Sequence, residues 1–86
     1  MMNITIMRDE IYKTIIECQN LLSDDRLPIW YRKDMVEYSK LLASQLSMSG
    51  SQKLEFYDYS YLRSNAENLL RDIQFTLGNT PIIRIS

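Results

Sequence analysis

Histidine is missing from the 86-residue chain, and cysteine occurs once. Without imidazole the chain lacks the side chain that most often serves as a base near neutral pH and as a metal ligand. Every Cys–His or Ser–His nucleophilic pair is therefore ruled out. One thiol cannot form an internal disulfide, so the fold does not depend on oxidation. Glycine is limited to Gly50 and Gly78, too few for a glycine-rich phosphate loop. Neither sign of charge is in excess: ten Lys and Arg oppose eleven Asp and Glu, for a formal charge of −1. Such a chain projects no long-range field, which argues against a dedicated nucleic-acid or polyanion binder. Long apolar runs are absent too. The opening MMNITIM meets Arg8, Asp9 and Glu10, so it is too short for a signal-peptide core. No run approaches the roughly 20 residues that span a bilayer. The expectation is a cytoplasmic protein with no membrane partner.

What is present points to a single domain over residues 1–86. A domain of this size hides only about 60–65% of the surface its unfolded chain exposes, so it gains from a partner. Hydrophobic residues make up 45% and aromatics 10%, enough for a core and against disorder. Punctuation falls at residues 23–25, Pro28, residues 49–51 and residues 78–81. Each point is too short for an interdomain linker.

The periodicity predicts a first helix over about residues 7–23. Met7, Ile11, Ile15, Cys18 and Leu22 step by 4, 4, 3 and 4, which places them on one stripe, with Tyr12 and Ile16 widening it. Asp24 and Asp25 suit the start of a second helix between Asp25 and Pro28. There Tyr31, Met35, Tyr38, Leu42 and Leu46 form the main stripe. Ile29, Val36 and Ala43 form a second line about 120° around the axis. Trp30, Leu41 and Met48 lie on its other side. A helix apolar on more than one side is central in a bundle or shared with another chain. Gly50 is the expected stop.

Leu62, Ala66, Leu69, Ile73 and Leu77 step by 4, 3, 4 and 4 and predict a third helix to about residue 77. Ser64 and Glu67 match a capping box that would start it at Ser64. Residues 53–62 fit helix or strand; the helical reading is preferred because Tyr59 continues the stripe backwards. Residues 3–6 and 81–85 are short and rich in isoleucine, and both read as extended. Gly78 and Pro81 close the last helix. The fold class expected is mainly α, a small bundle of three to four helices with short β-strands at the two termini.

Little chemistry is on offer. Carboxylate pairs occur at Asp24/Asp25, Asp34/Glu37 and Glu55/Asp58, but acid–base work needs one member desolvated. Asp34 and Glu37 interleave with Lys33 and Lys40 as a solvated ladder. Metal binding would need more ligands at tighter spacing. Cys18 lies inside an apolar stripe, where a thiol is a small hydrophobe. Lys40 and Ser44 lack the desolvation and oxyanion donors that Ser–Lys chemistry needs. Trp30-Tyr31-Arg32-Lys33 has a base-stacking composition, but Asp34 and Glu37 neutralise it. Arg63, Glu67 and Arg71 form a further ladder. No catalysis, cofactor, metal or small-molecule substrate is expected.

Aromatic excess is the most informative feature. Six tyrosines, two phenylalanines and one tryptophan occur, four of them within residues 56–61. A helix cannot bury Phe56, Tyr57, Tyr59 and Tyr61 on one stripe, and such residues concentrate at interfaces. The alternative is a small protein that tucks tyrosines around its rim. The expected function is a non-catalytic protein-binding module: an inhibitor, an immunity-type protein, or a chaperone or adaptor. Its partner-binding residues would be Phe56, Tyr57 and Tyr61, with Ile29, Val36 and Trp30 as a second patch. The partner would be a protein or a second copy in a homodimer. The alternative is a helical DNA-binding or antitoxin-type regulator.

That alternative has its own carriers. Leu62-Arg63-Ser64, with Asn65-Ala66 and Leu69-Leu70, resembles the run after the DNA-binding part in antitoxins of the YefM/Phd family. The opening Ile4-Thr5, a helix and then Pro28-Ile29 are similar to it as well. The resemblance covers about a third of the chain. The family's glycine-containing hairpin is missing, the spacing around Ser64-Asn65 is shorter, and an extended tail follows. The resemblance implies operator binding and toxin neutralisation without assigning the chain to the family.

Overall fold

Burial of one stripe per segment decides the architecture. The structure, a computed structural model, describes residues 4–47 and 56–79. Three helices appear there: α1 (Ile4–Leu21), α2 (Ile29–Ser47) and α3 (Phe56–Asn79). The chain is mainly α, with no strand among the described residues. Met7, Ile11, Ile15, Cys18 and Leu22 all point into one core with Tyr31, Leu42 and Leu46 of α2. Tyr59, Leu62, Ala66, Leu69 and Ile73 of α3 complete it. Met35, Val36, Ala43 and Leu77 pack against its edge. The preferred helical reading of residues 53–62 holds from Phe56 onward, while residues 53–55 lie outside the described residues.

Helix direction follows from the cross-contacts. Gln19 Nε2 donates to Ser39 Oγ at 3.3 Å, and Tyr12 lines a groove with Ala43 and Leu46. These pairs set α1 and α2 antiparallel. Thr76 Oγ1 lies 3.2 Å from the Tyr31 hydroxyl, while Met35 and Tyr38 meet Asn65 and Leu69, so α2 and α3 are antiparallel as well. α1 and α3 therefore run the same way and share the largest interface. Small residues permit their approach: the Cys18 thiol lies 3.8 Å from the Ala66 carbonyl oxygen. Arg63 spans the same pair on the surface, 3.7 Å from Glu10 and 3.3 Å from Glu67. Exposed pairs of this kind stabilise little.

Several expectations are corrected. Residues 4–6 are helical, not extended. The propensity cost of Ile or Thr in a helix is only a few tenths of a kcal/mol (about 0.7 at most), too small to outweigh continuation of the helix. Tyr12 and Ile16 do not widen the stripe but stand exposed, because they lie about 100° or more from its centre. Ser64 does not begin α3, which starts eight residues earlier at Phe56. Burying Tyr59 and Leu62 requires helix before Ser64, and Glu67 turns to Arg63 instead of a cap. Gly78 is helical and has no positive φ, so it does not stop α3. Expectations for Met48, Gly50 and residues 81–85 lie outside the described residues.

The α1–α2 connection needs no glycine. The Ser23 N–H donates to the Asn20 carbonyl at 3.3 Å and the Asp24 N–H to the Leu21 carbonyl at 3.1 Å. The Ser23 hydroxyl adds a bond to Asn20 at 2.7 Å. These satisfy carbonyls that a helix end leaves open. Asp24 is not the N-cap of α2. Its carboxylate accepts the Arg26 N–H at 2.9 Å and pairs with the Arg26 guanidinium at 2.8 Å, an Asx turn. The Arg26 guanidinium holds the Asp24 carboxyl below its ordinary range. Pro28 takes the cap position, where its carbonyl accepts the Arg32 N–H at 2.9 Å. Between them Leu27 plugs the core as a buried loop residue.

Candidate protein-binding surface

Trp30 and Tyr31 are neighbours with opposite fates. Tyr31 is buried against the core, and its hydroxyl sits by Thr76, which donates to the Asp72 carbonyl at 2.8 Å. Burial pushes the Tyr31 phenol above its ordinary range, and the bond with Thr76 offsets part of that. Trp30 remains 67% exposed. Its ring stands edge-on to Tyr31, with centroids 6.0 Å apart and an interplanar angle of 89°. An edge-to-face pair of this kind contributes about 0.5–1.5 kcal/mol. A tryptophan is thus held in a defined place while most of its surface meets water.

Helical geometry spreads this exposure into a face. At about 100° per residue, Trp30, Asp34, Tyr38 and Leu41 share one flank of α2. That flank borders the groove between α2 and α3. The groove encloses about 530 Å³ and is lined by Met35, Tyr38, Asn65, Asn68, Leu69 and Asp72. Tyr61 follows the far edge on α3 and is 68% exposed, and Leu41 on the near edge is 52% exposed. Phe75 is also largely exposed, on the same ridge of α3 as Tyr61. Asp72 is the charged residue that lines this groove, and Asp34 lies on the adjoining flank of α2.

The other flank of α2 differs in sign. A shallow groove of about 480 Å³ is lined by Leu22, Ile29, Val36, Arg32, Lys33, Lys40 and Glu37. Ile29 is 74% exposed there. Lys33 and Lys40 form no ion pair among the described residues, whereas Arg32 lies 3.5 Å from Asp25. Arg32 Nε is buried with no hydrogen-bond partner among the described residues.

Of the residues expected to bind a partner, Ile29 and Val36 come together in the basic groove. Trp30 and Tyr61 belong to the opposite, acidic face. The side chains of Phe56 and Tyr57 lie outside the described residues. Sequence periodicity gave no weight to Tyr38 as a surface residue, because it sits on the main α2 stripe. Nor did it find buried Ser39, whose hydroxyl donates to the Val36 carbonyl at 2.8 Å and accepts from Gln19. A serine on an apolar flank carries no burial signal unless its local acceptor is known.

Reactive groups are not gathered. Cys18 is fully buried, and desolvation, with the neighbouring Glu17 charge adding to it, pushes its thiol up to about 11. Among the described residues, no three His, Cys, Asp or Glu side chains cluster as metal ligands. No described helix is long and apolar enough to cross a membrane. No protein-family profile, curated protein or solved structure matches the chain.

Proposed function

We propose that the protein is a small non-catalytic binding module of the cytoplasm, of the inhibitor, immunity-type or adaptor kind, working through the α2–α3 face. The observation that carries this reading is Trp30, positioned edge-on against a buried tyrosine and yet mostly open to water. Tryptophan and tyrosine dominate binding hot spots because they cover large area with few rotors. Tyr38 lines the α2–α3 groove, and Leu41 and Tyr61 extend the same surface at its edges. The sealed, protonated Cys18 and the exposed carboxylates fit a role without chemistry.

A paired substitution, Trp30→Ala with Tyr61→Ala, tests the reading. Both side chains are exposed, so the variant is expected to stay folded with about 1 kcal/mol of stability lost, chiefly from the Trp30–Tyr31 pair. Capture of partners from cells that produce the protein should fall about tenfold or more. Equal recovery of the same proteins by the wild type and the variant contradicts it.

The second reading, a DNA-binding or antitoxin-type regulator, draws on the basic groove with Arg32, Lys33 and Lys40. Glu37 within that groove and the net charge of −1 weigh against it. Salt-sensitive retardation of operator DNA, lost in Lys33→Glu with Lys40→Glu, would favour it instead.

A further inference from the structure

The two flanks of α2 are chemical complements. Ile29, Lys33, Val36 and Lys40 step by 4, 3 and 4 along one edge, a ridge carrying two cations without ion-pair partners among the described residues, with Glu37 beside it. The α2–α3 face offers Trp30, Tyr38, Leu41 and Tyr61 around Asp34 and Asp72.

We propose that the α2–α3 face of one copy takes the Ile29–Lys40 ridge of a second copy, with Lys33 and Lys40 directed to the carboxylates of Asp34 and Asp72. The proposal rests on the binding role given above to the α2–α3 face and names its occupant. Charge complementarity selects that occupant: the face that carries Asp72 and, beside it, Asp34 meets a ridge on which Lys33 and Lys40 outnumber Glu37. Ammonium groups beside Trp30 and Tyr61 also gain from the ring faces. Ile29, 74% exposed on its own chain, becomes the apolar anchor.

Geometry fixes the kind of assembly. The centres of ridge and face lie about 120° apart around α2, so the two are distinct patches. The contact is heterologous, head to tail, and each added copy presents a fresh groove and a fresh ridge. Assembly then grows with concentration, as a ring or an open row, and not as an isologous pair. It weakens as salt screens the exposed charges.

Charge reversal distinguishes this arrangement from any other. Lys33→Glu with Lys40→Glu spoils the ridge and keeps the groove. Asp34→Lys with Leu41→Lys spoils the groove and keeps the ridge, and all four positions are exposed, so both variants should fold. Sedimentation velocity at low ionic strength should show the wild type growing in mass with concentration. Each variant alone should lose association about tenfold or more. An equimolar mixture should regain association that neither variant shows alone, because the intact groove of one meets the intact ridge of the other. A wild type that stays monomeric at millimolar concentration overturns the proposal, and so does a mixture that stays monomeric while the wild type assembles. If the wild type is monomeric but still captures another protein through Trp30, only the second copy as occupant falls. Absence of both assembly and capture removes the binding role as well.

Discussion

Ile73→Ala is expected to remove about 2–5 kcal/mol from the unfolding free energy, the range for truncating a fully buried isoleucine. Ile73 has no exposed surface and lies in the cluster where all three helices meet. Its loss combines transfer of the side chain with an unfilled cavity, because α1 and α3 are held apart by neighbours that cannot collapse onto it. Domains of this size hold only about 0.05–0.15 kcal/mol per residue. The change therefore takes a large share of the total. Chemical denaturation followed by far-ultraviolet circular dichroism checks it. Leu41→Ala serves as the comparison: a half-exposed leucine on the outer flank should cost within about 0.5 kcal/mol. Equal losses at the two positions would mean that Leu41 belongs to the core and that the face assigned to binding is part of the fold.

Alkaline pH should expose the second large effect. Cys18 titrates at about 11 in the folded chain, against 9.0 for an ordinary thiol, because burial disfavours the thiolate. A folded value raised above the unfolded one contributes stability that is fully present below pH 9 and lost as pH rises through 11. The unfolded chain releases its proton first, so the balance shifts toward it. That difference corresponds to roughly 3 kcal/mol. The buried Tyr31 phenol, also raised above its ordinary value of 10.0 by burial, acts in the same direction above that pH. Urea midpoints compared at pH 8 and pH 11 should fall steeply for the wild type and much less for Cys18→Ala. That variant has a lower midpoint at pH 8 from its small cavity but no thiol to titrate. Parallel declines in both proteins would contradict a sealed Cys18.

The helices and most of the core were readable because burial follows period. Met7 to Leu22 and Leu62 to Ile73 occupy the positions their stepping dictates. Boundaries failed where a local signal competed with a tertiary one. Ser64 and Glu67 form a capping box on paper, yet Tyr59 and Leu62 bury more surface if the helix begins earlier. The isoleucine-rich start favours strand by propensity and is helical from Ile4, since a helix costs Ile and Thr little. Asp24 has the chemistry of a helix cap and spends it on a turn with Arg26.

The candidate face was legible only in part. Trp30, Tyr61 and Ile29 stand out as apolar residues off the main stripes, and all three are exposed. Their grouping was not legible. Periodicity ranks residues around one helix axis and is silent about which flank meets which neighbour. Only the antiparallel course of α2 and α3, fixed by Tyr31 with Thr76 and Tyr38 with Asn65, brings Trp30 and Tyr61 to a common face and leaves Ile29 on the other.

Trp30 is the sole tryptophan, so its fluorescence reports directly on the surface assigned to binding. In dilute solution at high salt, its emission should match that of a solvent-exposed indole and acrylamide should quench it freely. At high protein concentration and low salt, the emission should move to shorter wavelength and the quenching should diminish together. An indole already shielded in the dilute chain, or one equally accessible under both conditions while mass increases, would contradict the account.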